Sequence, residues 1–227
     1  MAQLPSWLKP SKTVPQAPWS AGESNWKAKP KTYAMLLLGL WIFGTGEAAL
    51  VATSAGQSPW TVFSEGLSLK TGLSIGWATF FISIGVLLFW IPLRRKPGAG
   101  TLLNVIFVSM ALEVMIPFFP NPTEPALQLT QILIGIFIVG LGSAIYIPCH
   151  LGPGPRDGLM TGLHYKTGKP VARIRLTLEA IVLTVGWLLG GTVGIGTLLF
   201  ALLIGYSVAF WFGVTARFNT WYQLKTS

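Results

Sequence analysis

Three observations predict an all-α protein that spans a membrane. Hydrophobic residues make up 52% of the 227 residues, and charged residues only 10%. The apolar residues fall in runs of about 20, the length that an α-helix needs to cross a hydrocarbon core. These runs are too long and too uniformly apolar for alternating barrel strands, so helices are expected to satisfy the backbone inside the lipid. The basic residues also collect on one side of the membrane that these runs imply.

Six apolar runs are predicted to be membrane-spanning helices. They cover residues 34–53, 73–93, 101–119, 128–148, 172–190 and 195–214. The domain organisation that follows is a disordered cytoplasmic tail (1–32), a first three-span repeat (33–120), a second three-span repeat (121–215) and a cytoplasmic C-terminal end (216–227).

The tail is polar, lysine-rich and interrupted by five prolines, a composition that argues against a packed domain. Its Trp7, Trp19 and Trp26 are expected to rest at lipid headgroups, or alternatively to dock on a protein partner. The tail is too long for the basic segment of a typical signal peptide, so no cleavage is expected.

The distribution of Lys and Arg predicts the orientation. With the N-terminus inside, every basic residue except Lys70 lies on the cytoplasmic side, as the positive-inside rule requires. Both termini are therefore expected in the cytoplasm. The net charge of +9 is explained by this orientation and by anionic headgroups. The lipid bilayer is the expected partner, and nucleic acid is not.

An internal repeat appears when the chain is compared with itself at an offset of 96 residues. Gly56, Pro59 and the segment Lys70-Thr71-Gly72 then match Gly152, Pro155 and Lys166-Thr167-Gly168. Gly100-Thr101-Leu102-Leu103 likewise matches Gly196-Thr197-Leu198-Leu199. Because each copy holds three predicted spans, the second copy enters the membrane from the opposite side. Such inverted repeats are common in transporters, which bind their substrates between the halves, although duplicated membrane scaffolds exist too.

Several motifs resemble a known family. The segments GQSPWTVFSEGLSLKTGLSIG, PLRRKPGAGTLLN, GPGPRDGLMTGL and GWLLGGTVGIGTLLFALLIG are similar to those of the YczE/YyaS/YitT family of bacterial membrane proteins, closest to its YczE branch. The resemblance covers roughly residues 34–213. It implies a bacterial plasma-membrane location and the fold, and it implies no particular substrate. This chain departs from the family pattern at Thr61, where an acidic residue is expected after Pro-Trp.

The segment GPGPRDGLMTGLHYKTG, residues 152–168, is predicted to be a short half-helix. Pro153 and Pro155 remove backbone N–H donors that a phosphate-binding loop needs, and no Gly-Lys-Ser/Thr follows. Pro155 instead suits the first turn of a re-entrant or interfacial helix that closes at Gly168, and Pro59 starts the matching helix. Two such helix N-termini with Arg156 could hold an anion or a carboxylate. The alternative is a tight connector with a solvated Arg156–Asp157 pair. The candidate substrate-binding residues are Gly56, Pro59, Trp60, Gly152, Gly154, Arg156 and Asp157.

Acidic residues inside predicted spans are candidate functional groups, because ionisation in hydrocarbon is costly. Glu47 and Glu113 are expected at similar depth, and they are the candidates for proton coupling. The alternative is that each is protonated or hydrogen-bonded to a neighbouring helix. Glu179 is expected to pair with Arg175, four residues before it on the same helix.

No enzyme, cofactor or metal site is expected from the sequence. His164 has no identifiable nucleophile at a readable spacing, and the single cysteine, Cys149, lacks the spaced companions of a metal site. The sequence therefore favours a transporter or permease-like protein for a small solute. The alternative is a non-transporting membrane helper or scaffold that docks another protein, for which the tail is a possible binding segment.

Overall fold

The computed structural model describes residues 13–22 and 24–226, and within these ranges the regular structure is entirely helical. Two 3-10 turns, Ile116–Phe118 and Ile147–Cys149, extend the ends of two helices. The α-helices are α1 (Pro30–Ala52), α2 (Pro59–Thr71), α3 (Ile75–Leu88), α4 (Ala99–Met115), α5 (Pro125–Tyr146), α6 (Pro155–Thr167), α7 (Val171–Leu188) and α8 (Ile195–Thr226). The C-terminal segment predicted from residue 216 is therefore a continuation of α8.

The helix order repeats along the chain. The first residues of α2, α3 and α4 recur 96 residues later as the first residues of α6, α7 and α8. The packing repeats with it, because α1 contacts α4 as α5 contacts α8, and α2 contacts α3 as α6 contacts α7. The halves meet through α1 against α5, α2 against α7 and α3 against α6. The sequence duplication thus corresponds to a duplicated arrangement of helices.

Fewer helices than predicted are long and apolar enough to span a membrane on their own. Among the described residues, four qualify: Pro30–Ala52, Ala99–Phe118, Pro125–Cys149 and Ile195–Lys225. The count of six is therefore not confirmed. The pair α2 and α3, bent by 112°, makes a fifth candidate if it is one broken span.

Length and charge explain the difference. Helix α3 has 14 residues, which at 1.5 Å per residue gives about 21 Å, less than the hydrocarbon core of about 30 Å. Helix α7 is 18 residues long, but it carries three charged residues, Arg173, Arg175 and Glu179. These charges make it too polar to count as a membrane span by composition.

Large apolar side chains cover much of the outer surface. Phe81, Phe137, Trp187 and Leu202 are examples, each from a different helix and each about half exposed or more. A soluble protein rarely exposes apolar area of this extent. Such a surface is expected of a protein that is surrounded by lipid.

The two short helices begin and end where the sequence predicts. Pro59 and Pro155 occupy the first helical positions, where a missing N–H costs nothing. Gly72 and Gly168 follow the last turns with φ of 75° and 67°, a left-handed conformation that glycine adopts without strain.

The loops that precede the two short helices are hydrogen-bonded to the opposite half of the molecule. The backbone N–H of Gly196, in the first turn of α8, donates to the carbonyl of Ala55 at 2.9 Å. At the equivalent positions, the N–H of Gly100 in α4 donates to the carbonyl of Leu151 at 2.7 Å. The close approach explains the neighbouring glycines, since a Cβ on Gly56 would lie 2.6 Å from the backbone nitrogen of Gly194. We call this pair of contacts the reciprocal clasp.

The described part of the N-terminal tail is packed, which corrects the prediction of a disordered segment over residues 1–32. Trp19 is buried, and its Nε1 donates to the carbonyl of Ile145 at 3.0 Å. The hydroxyl of Ser20 donates to the carbonyl of Pro148 at 2.7 Å, and the carbonyl of Asn25 accepts from the N–H of Ala99. Frequent prolines exclude regular structure, but they leave the tail free to bury a tryptophan against helix ends. Residues 1–12, with Trp7, lie outside the described residues.

Candidate functional site

A cavity of about 400 Å³ lies between the two halves. Residues of α1 to α4 and of α5 to α8 line its wall, together with Thr13 and Val14 of the tail. Its polar and charged lining includes Glu47, Ser58, Trp60, Tyr146, Arg156 and Asp157. A cavity with mostly apolar walls and a few convergent polar groups is typical of small-molecule sites.

The lining follows the internal repeat. Trp60 and Arg156 are equivalent positions of the two copies, and both line the cavity. The same holds for Glu47 and Ser143, for Thr79 and Arg175, and for Ser83 and Glu179. The cavity therefore lies where the two copies face each other. Its charges are distributed unequally: the first copy supplies Glu47, and the second supplies Arg156, Asp157, Arg175 and Glu179.

Arg156 reaches across to the first copy. Its guanidinium lies 5.0 Å from the centre of the Trp60 ring, a cation–π distance. The side chain is half-buried, and among the described residues it has no hydrogen-bond acceptor and no salt-bridge partner. A guanidinium carries five N–H donors in a fixed fork. Arg156 is thus oriented by an aromatic face while its hydrogen-bonding capacity stays unused.

Glu47 is the deepest charged group of the cavity, with 1% of its surface exposed. Its Oε2 accepts hydrogen bonds from the hydroxyls of Ser58 at 2.8 Å and Thr61 at 2.7 Å. Its Oε1 is buried and has no partner within the described ranges. Thr61, the residue that departs from the resembled family pattern, therefore orients the carboxyl group of Glu47.

Arg175 and Glu179 form the predicted local ion pair. The Nε of Arg175 lies 2.8 Å from an oxygen of Glu179, one helical turn along α7. Both residues line the cavity. Because each already neutralises the other, this pair leaves less charge for a ligand than Glu47 and Arg156 do.

The structure brings most of the predicted site residues to the cavity. Pro59, Trp60, Gly154, Arg156 and Asp157 line it, as does Glu47. Gly56 and Gly152 are not in the lining, and they lie at the reciprocal clasp instead.

Glu113 is not in the lining, and it lies in a different hydrogen-bond network from Glu47. Its Oε2 accepts from the hydroxyl of Ser74 at the start of α3. The two predicted proton-coupling residues are therefore not brought together around one cavity.

Sequence reasoning missed Glu65. Its carboxylate accepts from Nε2 of Gln57 at 2.7 Å, and from the backbone N–H and the hydroxyl of Thr192 at 2.5 and 2.9 Å. These bonds tie α2 to the segment between α7 and α8. The sequence does show that Glu65 is an acidic residue in a short helix with apolar segments on both sides. It does not reveal Thr192 as its partner, because Thr192 lies 127 residues away and no spacing rule connects the two.

Comparisons with known proteins give relatives over most of the chain. A Haemophilus influenzae protein described as uncharacterized is 42% identical over 209 residues, which cover 92% of this chain and 95% of that protein. The uncharacterized membrane protein YczE of Bacillus subtilis is 30% identical over 174 residues, 76% of this chain and 81% of that protein. The uncharacterized protein YyaS of the same organism is 26% identical over 172 residues, 74% of this chain and 86% of that protein. No solved structure matches the chain.

A family model described as a family of unknown function (DUF6198) matches residues 30–212, from the start of α1 into α8. The matched residues include both short helices, α2 and α6. The tail before residue 30 is not part of the match. Together with the YczE and YyaS relatives, it confirms the resemblance noted in the sequence. The chain is a membrane protein that belongs to the DUF6198 family, within the YczE/YyaS group.

Proposed function

We propose that this protein is a permease-like transporter for a small solute, which binds in the cavity between the two repeats. The observation that carries the proposal is the lining itself. Equivalent positions of both copies face one cavity of about 400 Å³, and the cavity holds the half-buried Arg156 and a buried oxygen of Glu47, neither of which has a hydrogen-bond partner among the described residues. Structural contacts alone leave few buried polar atoms unsatisfied, so such atoms in a cavity favour a ligand.

Alternating access follows from the proposed inverted repeat. If the bent pair α2–α3 counts as one crossing, the first half crosses the membrane three times, and the second half then starts from the opposite side. Two related halves can exchange conformations, which exposes a site between them first to one side and then to the other. The charge difference between Trp60 and Arg156 makes the two faces of the proposed site unlike each other.

Arg156 is the proposed contact for an anionic group of the solute. It lies in the first turn of α6, where backbone N–H groups without helical partners already favour negative charge. The Trp60 ring orients the guanidinium, which reduces the entropy lost when it binds a carboxylate. A charge-assisted contact of this kind contributes about 1.5–3 kcal/mol.

The experiment is uptake of carboxylate-bearing solutes into vesicles reconstituted with the full chain. Arg156→Ala is expected to lower apparent affinity about tenfold or more, since the lost contact exceeds about 1.4 kcal/mol. Lys166→Ala is the matched control, because Lys166 is an exposed basic residue of the same helix. Uptake equal to that of empty vesicles for every solute in the panel would contradict transport. Equal affinity in wild type and Arg156→Ala would remove Arg156 from the site.

The alternative function, a helper that docks another protein through its tail, is tested by deleting residues 1–12. This deletion spares the packed segment around Trp19. Unchanged uptake favours the transporter. Loss of function in cells, with the purified protein folded and no uptake by the intact chain, favours the helper.

A further inference from the structure

We infer that the solute of this cavity is a zwitterion that carries an ammonium group beside its carboxylate, as an α-amino acid does. The inference rests on the proposed function and specifies its substrate class. It depends on two oppositely charged side chains, Glu47 and Arg156, that line the same cavity and are not joined by a direct salt bridge.

The first of these charges is Glu47. Only one of its carboxyl oxygens is satisfied, by Ser58 and Thr61, while Oε1 is buried and has no donor among the described residues. A buried polar atom without a hydrogen bond costs free energy, and a buried carboxylate costs more. The group that Oε1 lacks is a hydrogen-bond donor, and a positively charged N–H donor matches it best.

The second charge is Arg156, which approaches from the other half. No salt bridge joins Arg156 to Glu47. The salt bridge found among the described residues is the one between Arg175 and Glu179. The Trp60 ring occupies one side of the guanidinium and supplies no acceptor. Arg156 therefore needs an anionic group, as Glu47 needs a cationic donor.

A ligand with a single charge does not fit this pair. A plain carboxylate would bind Arg156 but would be repelled by Glu47 across the same low-dielectric cavity. A plain amine would bind Glu47 but would be repelled by Arg156. A zwitterion supplies a cationic donor for Glu47 and an anionic group for Arg156. Each of its charges lies beside a charge of opposite sign, so neither side chain repels it.

The remaining charges of the lining are one ion pair and one further carboxylate. Arg175 and Glu179 neutralise each other on α7. Asp157 follows Arg156 on α6 and is the more exposed of the two. The rest of the wall includes apolar side chains, among them Phe43, Val108, Val139 and Ile204, which suit the hydrocarbon part of an amino acid.

The test compares matched ligands on the purified full chain. The common L-α-amino acids are screened singly for a rise in melting temperature, because a ligand that binds the native state stabilises it. The best amino acid is then compared with the acid that lacks its amine and with the amine that lacks its carboxylate. The amino acid is expected to stabilise the protein at concentrations at least about tenfold below either analogue, since each analogue loses one charge-assisted contact.

Two variants assign the charges. Glu47→Gln is expected to weaken amino-acid binding about tenfold and to remove the preference over the deaminated acid. Arg156→Ala is expected to remove the preference over the decarboxylated amine instead. Lys166→Ala is the control, since Lys166 is an exposed basic residue of α6 that lies outside the cavity lining. If Glu47→Gln does not fold, the Arg156→Ala comparison still decides the question.

The outcomes separate this inference from the proposed function. If either single-charge analogue binds as tightly as the amino acid, or if no amino acid binds, the zwitterion is overturned; uptake of another solute would leave transport standing. If an amino acid binds with the expected preferences but no flux appears in vesicles, the substrate class stands and transport fails.

Discussion

Trp60 and Arg156 show how single residues make a duplicated site asymmetric. They occupy equivalent positions 96 residues apart, yet one offers an aromatic face and the other a charge, and the two are in contact. Glu47 and Ser143 differ in the same way. A symmetric pair of arginines or of glutamates around one cavity would repel, so unlike residues are the lower-energy arrangement.

Glu47 is the residue at which a proton is expected to influence transport. Protonation removes its negative charge, and a glutamine at this position has no charge to lose. Glu47→Gln is therefore predicted to keep the protein folded and to abolish the pH dependence of uptake, measured in vesicles across a range of external pH. Arg156 of α6, which lines the same cavity, is left in place by this variant.

Glu113→Gln tests the second proton-coupling candidate, which hydrogen-bonds Ser74 outside the cavity lining. Its role in coupling requires that this variant also lose the pH dependence. A profile like that of wild type would make Glu113 a structural contact, and an unchanged profile in both variants would remove both carboxylates from coupling.

At the scale of elements, the reciprocal clasp holds the halves together at two equivalent places. Each loop before a short helix accepts a hydrogen bond from the first turn of a long helix in the other half. The glycines of the two GTLL motifs are needed there because the backbones approach closely. Glu65 adds a second tie on one side only, since its equivalent in the second copy is Thr161.

Gly196→Ala is predicted to destabilise the protein by about 1–3 kcal/mol or more, the usual cost of overpacking. A Cβ at this position would collide with the backbone carbonyl of Gly56, which cannot move as a side chain can. Gly205→Ala in the same helix is the control, because a Cβ there meets nothing within 4 Å and alanine favours the helix. Thermal unfolding in detergent measures both. Equal stability of the two variants would contradict the clasp.

At the scale of the whole molecule, the repeat and the basic residues together predict the orientation. The loop between α3 and α4 contains Arg94, Arg95 and Lys96, whereas the loop before α5 has no Lys or Arg. Reporter fusions after Lys96 and after Phe119 are therefore expected to report the cytoplasm and the outside respectively. The reverse result would contradict the predicted orientation, and one side for both would contradict the crossing of α4 that the inverted repeat requires.

Local rules let the sequence by itself determine the helical class, the duplication and the bounds of the short helices. An apolar run of about 20 residues in lipid forms a helix. Proline fits the first helical position because the N–H that it lacks has no helical partner there, and glycine ends a helix in the left-handed conformation. These effects act within a few residues, so α2 and α6 begin at Pro59 and Pro155 as predicted. Pattern alone does not give the length of each helix or the bend between α2 and α3, and the six predicted spans are not confirmed by the four helices that qualify by length and composition among the described residues.

Only the tertiary structure decided which residues line the candidate site. The contact of Arg156 with Trp60, the unpartnered oxygen of Glu47 and the packing of Trp19 on α5 depend on chain segments that meet in space. The sequence placed Glu47 and Glu113 at one depth, but depth along a helix does not fix the direction in which a side chain points. Helix rotation and the contact between the two halves set that direction, and they bring Glu47 to the cavity with Arg156 and leave Glu113 beside Ser74.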